Sequence, residues 1–278
     1  PFSSRILIHD ETSGAIIGAD ICEDLWVPIP PSTYHTLHGA NVIVNLSASN
    51  ETIGKKEYRR NMILSHSTKC MCGYVYASAG IDESTSDLVF SGHAIIADNG
   101  YLVHESEIFH RNKLTYGEID LEKLKNDRLR FSTYMELSEK KDYQFITCQT
   151  KPVTQKLELI RTIDPYPFVP KDEAVRKDRC MDILHMQATG LAQRLKKINC
   201  SQLIIGISGG LDSTLALIVA KIAFDMNGYD TKGILAVTMP GFGTSERTLH
   251  NAQALMEALH TTQKNIDIRK ACELHYKD

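Results

Sequence analysis

Nowhere in this chain of 278 residues is there an apolar run long enough to cross a bilayer. Its first residues, Pro1-Phe2-Ser3-Ser4-Arg5, lack the charged-then-apolar layout of a secretory signal. The expectation is a soluble cytoplasmic protein with no membrane partner. Excess positive charge is missing too: 31 Lys and Arg stand against 34 Asp and Glu, a net charge of −3. With no basic cluster to override that balance, a general nucleic-acid surface is excluded. Cysteines number only seven, an odd and scattered set that fits reduced thiols better than a disulfide framework. Cys70-Met71-Cys72 has neither the two-residue gap nor the second pair of a zinc site, and reads as buried thiols at a helix end.

What is present centres on Gly206-Ile207-Ser208-Gly209-Gly210-Leu211-Asp212-Ser213-Thr214, between an apolar strand, Gln202 to Ile207, and a helical run, Leu215 to Phe224. A strand turning through glycines into a helix aims backbone N–H groups and the positive helix end at one point, which suits an anion. The spacing fails G-x-x-x-x-G-K-[ST], since Leu211 stands where the second glycine belongs and no lysine follows. Gly209 and Gly210 as a plain turn, with Asp212 and Ser213 as capping residues, is the structural alternative.

The first part of the chain reads as alternating strands and helices. Strands are expected at Arg5 to His9 and Ala15 to Ile21, the second ending abruptly at Cys22-Glu23-Asp24-Leu25-Trp26 before Pro28, Pro30 and Pro31. That puts Cys22 on a sharp turn at a strand end, where a nucleophile can reach a carbonyl; the alternative is a buried structural thiol. A short helix, Ser32 to His38, carries His35 and His38 one turn apart, as surface or core histidines more readily than as bases. A strand from Asn41 to Leu46 opens into Ser47-Ala48-Ser49-Asn50, and a helix runs from Lys55 to Cys70. Strands follow at Gly73 to Ala79, Gly92 to Ala97, Leu102 to Glu105 and Leu114 to Ile119, with Asp98-Asn99-Gly100-Tyr101 as a hairpin turn and Asp120 capping a helix to Leu129. Residues 141–175, broken by Pro152, Pro165, Pro167 and Pro170, are expected to link domain 1–140 to domain 176–278. The second domain opens on a helix, Asp172 to Lys197, and continues past the glycine loop with strands at Lys232 to Met239 and Asn265 to Ile268. Its three strands make a small doubly wound sheet, so the domain is expected to be incomplete.

Ser208 to Ser213 match S-G-G-x-D-S and resemble the pyrophosphate loop of N-type ATP pyrophosphatases, which cleave ATP between the α and β phosphates. In order along the chain, Ile21 to Trp26, Asn45 to Ser49, Ile53-Gly54-Lys55, Ser208 to Thr214 and Met239 to Ser245 are similar to glutamine-dependent NAD synthetase. The resemblance implies an α/β chain: part of a nitrilase-like αββα sandwich, then part of a Rossmann-like parallel-sheet domain of the adenine nucleotide alpha hydrolase type. It further implies that Cys22 attacks the amide of glutamine, that Ser49 and Lys55 hold that substrate, and that Gly206 to Ser213 bind ATP, with Asp212 facing Mg²⁺. Glu23 would stand near the substrate amide, with a solvated or capping role equally open for it and for Asp24. Lys55 has its own alternative, a solvated first-turn lysine beside Lys56.

The implied reaction takes glutamine, ATP and deamido-NAD and yields NAD, glutamate, AMP and pyrophosphate, in a homo-oligomer. Nitrilase-type catalysis also needs a Glu base and a Lys from segments before the cysteine. The chain, starting at Pro1, reads as an internal piece of a longer protein, and on its own is expected to show negligible glutaminase activity. Other readings are a nitrilase-type amidase with a nucleotide-sensing C-terminal module, and a non-catalytic nucleotide-binding module.

Overall fold

In the computed structural model, which describes residues 3–110, 114–136, 142–154 and 158–277, the chain divides into two compact units, 1–163 and 164–278. Both are α/β. No helix among the described residues is long and apolar enough to cross a membrane.

The first unit is built on one seven-stranded mixed sheet. Its strands are β1 (Ile6–Asp10), β2 (Ala15–Ile21), β3 (Val42–Ser47), β4 (Gly73–Ser78), β5 (Ala94–Asp98), β6 (Tyr101–Glu105) and β7 (Gln144–Cys148), in the order β6-β5-β4-β3-β2-β1-β7. β2, β3 and β4 run parallel, with Ile21 opposite Leu46 and Ser47 opposite Ser78, so their carboxyl ends share one edge. The crossovers carry α1 (Pro31–Leu37) and α2 (Lys55–Cys70); α3 (Leu121–Arg130) and α4 (Ser132–Glu136) follow the last hairpin. Alternation along the strands puts Ile43, Tyr74, Tyr76 and Ile95 into a core with Ile63 of α2. The opposite face leaves Ile8, Ile21 and Leu46 exposed. The described residues of this unit therefore supply one of the two sheets that an αββα sandwich contains.

Local chemistry explains most boundaries. Asn99 and Gly100 both have positive φ, +47° and +80°, as a two-residue hairpin loop requires. The Asp120 carboxylate accepts from the Lys123 N–H at 2.9 Å and starts α3. Two expectations fail. Leu114 to Ile119 form no strand; the segment is irregular, and Ile119 packs against Gly73. Residues 141–175 were expected to lack regular structure, yet β7 lies there and pairs in parallel with β1. Further on, Glu118 accepts the N–H groups of Ile160 and Arg161, and Arg161 pairs with buried Asp98 at 2.6 Å.

The second unit contains a three-stranded parallel sheet, β8 (Leu203–Gly206), β9 (Ile234–Thr238) and β10 (Thr262–Asn265), in the order β10-β9-β8. The last strand lies three residues earlier than expected. The helices are α5 (Glu173–Lys197), α6 (Leu211–Asn227), α7 (Glu246–Ala258) and α8 (Arg269–His275). α5 lies on α6 through the small side chains of Ala188, Ala192 and Ala223. Ile207, Leu217, Phe224, Ile234 and Met256 form the core under the sheet.

Candidate functional site

Each unit places its sequence-predicted residues at the carboxyl edge of its parallel strands, where α/β sheets open into crevices. In the first unit Cys22 follows β2 directly. Its φ is +49°, in the left-handed region. For a residue with a side chain this is a strained conformation costing about 1–2 kcal/mol, and strand-to-helix turns that present a nucleophile are known for it. The Asp24 carboxylate accepts the Ile21 N–H at 2.8 Å and ties the turn down. Asp24 is thus a capping residue.

Cys22, Ser49 and Lys55 line one cavity of about 310 Å³, together with Glu23, Trp26 and Asn50. The thiol is partly exposed and free. Lys55 Nζ donates to the Asn50 carbonyl at 2.6 Å and to its Oδ1 at 3.1 Å, and lies 5.7 Å from the Trp26 ring centroid. Trp26 is itself stacked on Tyr58. A cation held by neutral oxygens and an aromatic face is free to accept a carboxylate, which binds it more strongly than either.

Beneath the turn, Asp20 is fully buried, and burial pushes its carboxyl above the usual range. It accepts from the Ser32 N–H at 2.9 Å and the Tyr74 hydroxyl at 3.1 Å; Asn45 donates to that same hydroxyl, and Ser47 donates to Asn45. These bonds connect the end of β2 to the end of β3, and so the Cys22 turn to the Ser49 loop. The sequence reading missed Asp20, Trp26 and Asn50. A charged residue inside an apolar strand, two positions before the cysteine, was the available signal.

His35 of α1 and His38, which caps it, do not line this pocket. His35 is buried; its Nε2–H donates to the Ala19 carbonyl at 3.2 Å, which leaves Nδ1 to accept from Tyr143 at 2.9 Å. A larger cavity of about 480 Å³ lies between α3 and the β1–β2 turn, lined among others by Ser13, Gly14, Asn41, Leu121, Lys125 and Arg128, and no cysteine lines it.

In the second unit the loop from Gly206 to Ser213 joins β8 to α6, which begins at Leu211, four residues before the expected helix. Asp212 and Ser213 therefore sit in the first helical turn. Ser213 Oγ donates to the Gly210 carbonyl at 3.1 Å, accepts from the Ser208 N–H at 3.3 Å and lies 3.1 Å from Ser208 Oγ, so the two hydroxyls close the loop on itself. Gly209 has φ +80°, and its α-carbon faces the Thr248 carbonyl in the first turn of α7. Gly210 has ordinary backbone angles, and a β-carbon there would meet only Ser208 Oγ, at 3.4 Å. The Ile207 side chain is buried, and only its backbone is available to a ligand; Leu211 is exposed. Among the described residues no three His, Cys, Asp or Glu side chains gather as a metal site. Asp212 is a lone exposed carboxylate, a donor set that suits a magnesium ion arriving on phosphates, with water and phosphate oxygens filling most of its shell.

A family model described as NAD synthase matches residues 183–277. The glutamine-dependent NAD(+) synthetase of Mycobacterium leprae (strain TN) is 40% identical over 284 aligned positions, covering 100% of this chain and 42% of the relative. That of Mycobacterium tuberculosis (strain ATCC 25618 / H37Rv) is 40% identical over 269, covering 94% and 39%. A solved glutamine-dependent NAD+ synthetase from Acinetobacter baumannii, in complex with adenosine diphosphate, aligns at 18% identity and TM-score 0.38 over 98% of this chain and 42% of that one. The similarity in sequence runs the whole length of the chain, and the chain spans less than half the length of the curated relatives it matches.

Proposed function

We propose, from the premise that this chain is a section of a glutamine-dependent NAD(+) synthetase, that the intact protein converts deamido-NAD to NAD in the cytoplasm with ATP and glutamine. Cys22 attacks the side-chain amide carbon of glutamine; the C–N bond breaks, ammonia leaves, and water releases glutamate from the thioester. Lys55 takes the α-carboxylate, and Ser49 a polar group of the same substrate. In the second unit the deamido-NAD carboxylate attacks the α-phosphorus of ATP, pyrophosphate leaves, and ammonia displaces AMP from the adenylate.

Gly209 and Gly210 let the backbone approach the pyrophosphate, and the α6 N-terminus stabilises its charge. Magnesium bound with ATP would neutralise phosphate charge, with Asp212 as its protein ligand. Splitting the chemistry has a reason: dissolved ammonia is mostly protonated at neutral pH and then has no lone pair to attack with, so NH₃ released from a carrier and used at once is a better nucleophile source than ammonium from solution.

The observation that carries this reading is the single pocket shared by a strained Cys22, Ser49 and Lys55. The test uses the intact protein: NAD formation from deamido-NAD and Mg-ATP, with glutamine or ammonium as donor, in wild type and Cys22→Ala. Cys22→Ala is expected to lose the glutamine-driven rate and keep the ammonium-driven one. Wild-type failure with both donors would remove the synthetase assignment and leave the amidase reading.

A further inference from the structure

The ammonium of Lys55 has two tasks that conflict. It holds the loop before α2 through Asn50, and in the proposed reaction it must leave Asn50 to meet a carboxylate. Something else has to keep the loop, with Ser49 on it, in place while that exchange occurs. α2 carries a second cation one turn on. Arg59 is fully buried, and its Nη2 donates to Glu51 Oε2 at 3.1 Å. Residues four apart share a helix face, so Lys55 and Arg59 grip consecutive loop residues, Asn50 at the pocket and Glu51 behind it.

The grip on Glu51 is anchored from several sides. The Ser91 hydroxyl donates to Glu51 Oε2 at 2.6 Å, and the Glu51 N–H donates to the Val89 carbonyl at 2.7 Å. Arg59 Nη1 lies 2.7 Å from His93 Nδ1. Because a guanidinium only donates, that nitrogen must accept, and the imidazole is neutral with its proton on Nε2. From there it donates to Glu105 Oε1 at 2.8 Å, and Glu105 pairs with Arg60 at 2.7 Å. The loop preceding β5 and the first turns of α2 thus converge on one carboxylate, two residues past Ser49.

Stability alone is a poor account of this cluster. Buried ion pairs are often matched or bettered by apolar side chains of the same volume. Here Glu51 Oε1 and Arg59 Nε are also buried with no partner among the described residues. We infer that Glu51 and Arg59 are positioning residues of the glutamine pocket, holding the Ser49–Asn50 loop fixed so that Lys55 can exchange Asn50 for the substrate carboxylate. This rests on the glutamine reading of the pocket.

The test uses the intact protein as wild type, Glu51→Gln, and the double variant Glu51→Leu with Arg59→Met, which removes both charges. Glu51→Gln is expected to raise the KM for glutamine about tenfold to a hundredfold, the loss of one charge-assisted bond, with the ammonium-driven rate unchanged. The double variant should regain thermal stability lost in Glu51→Gln while its glutamine KM stays raised. Recovery of KM together with stability would reduce the pair to a fold pin and overturn the inference, as would an unmoved KM in Glu51→Gln. Should Glu51→Gln fail to fold, the double variant's KM decides in the same way. A wild type without glutamine-driven turnover would remove the reading of the pocket itself, a result distinct from either.

Discussion

Gly209 and Gly210 are neighbours with opposite structural demands, and alanine at each separates folding from binding. At Gly209 a β-carbon would sit inside the van der Waals envelope of the Thr248 carbonyl, 2.8 Å from its carbon, on a backbone with φ +80°. The left-handed conformation costs alanine about 1–2 kcal/mol, and overpacking against helix backbone costs about 1–3 kcal/mol more. Gly209→Ala is therefore expected to lose about 2–5 kcal/mol, lowering the melting temperature of a unit this size by roughly 8–20 °C. At Gly210, φ is −89° and the added β-carbon would meet only Ser208 Oγ, at 3.4 Å. There, a stiffer unfolded chain and a poorer helix cap offset one another to within about 1 kcal/mol.

If the loop cradles a pyrophosphate, that same β-carbon stands in the anion's approach, and the loss of one charge-assisted N–H contact lowers ATP affinity about tenfold to a hundredfold. Circular dichroism melts and calorimetric ATP titration of the intact protein measure both. A Gly209→Ala melt within a degree or two of wild type would refute the packing argument. Unchanged ATP affinity in Gly210→Ala would refute the cradle.

Lys55→Met should raise the glutamine KM by about tenfold to a hundredfold and leave ammonium-driven NAD formation intact, since one charge-assisted contact is lost; equal loss with both donors would place Lys55 outside the glutamine pocket. At Cys22, glycine accepts positive φ where alanine does not, so Cys22→Gly should melt above Cys22→Ala, with a gap of about 1 kcal/mol; the reverse order would contradict the strain at this turn. His66 is held down to about 4 by burial and, secondarily, by the Lys69 charge. It stays neutral when folded, whereas the unfolded chain binds a proton near pH 6.5. Its contribution is thus full above about pH 6.5 and falls away as the pH drops towards 4, by up to about 3 kcal/mol. Urea midpoints at about pH 7 and about pH 4.5 for wild type and His66→Gln check this, and parallel slopes in the two would count against it.

Elements with a local cause were legible. The Asp120 cap, the Asn99-Gly100 turn and the helix from Lys55 to Cys70 follow from residues a few positions apart. That Cys22, Ser49 and the Gly206 to Ser213 loop stand at the ends of strands was legible for the same reason, a motif being a local pattern. β7 was not. It is an edge strand with every residue exposed, it comes shortly before the proline-broken stretch that begins at Pro152, and its partner lies more than 130 residues earlier. Leu114 to Ile119 erred the other way, since a strand-like pattern forms no strand without an edge to pair with. Around the pocket, Lys-Lys-Glu-Tyr-Arg-Arg from Lys55 to Arg60 reads as a solvated first stretch of helix, and only the approach of Glu51, Ser91 and His93 explains why its fifth residue, Arg59, is fully buried.

The pairing of β7 with β1 also sets a timetable. Of the seven described strands of that sheet, β1 is translated first and β7 last, so the flank of β1 that β7 covers waits for its partner through most of the unit's translation. An uncovered strand edge invites pairing with other chains. Asp10, at the end of β1, accepts the Thr150 N–H at 2.9 Å as well as the hydroxyls of Ser13 and Thr150, so this late arrival is latched when it docks. A truncation at residue 140, where the sequence places the domain boundary, would make the temporary vulnerability permanent. Anyone dissecting this protein into parts should carry the first unit past Thr150.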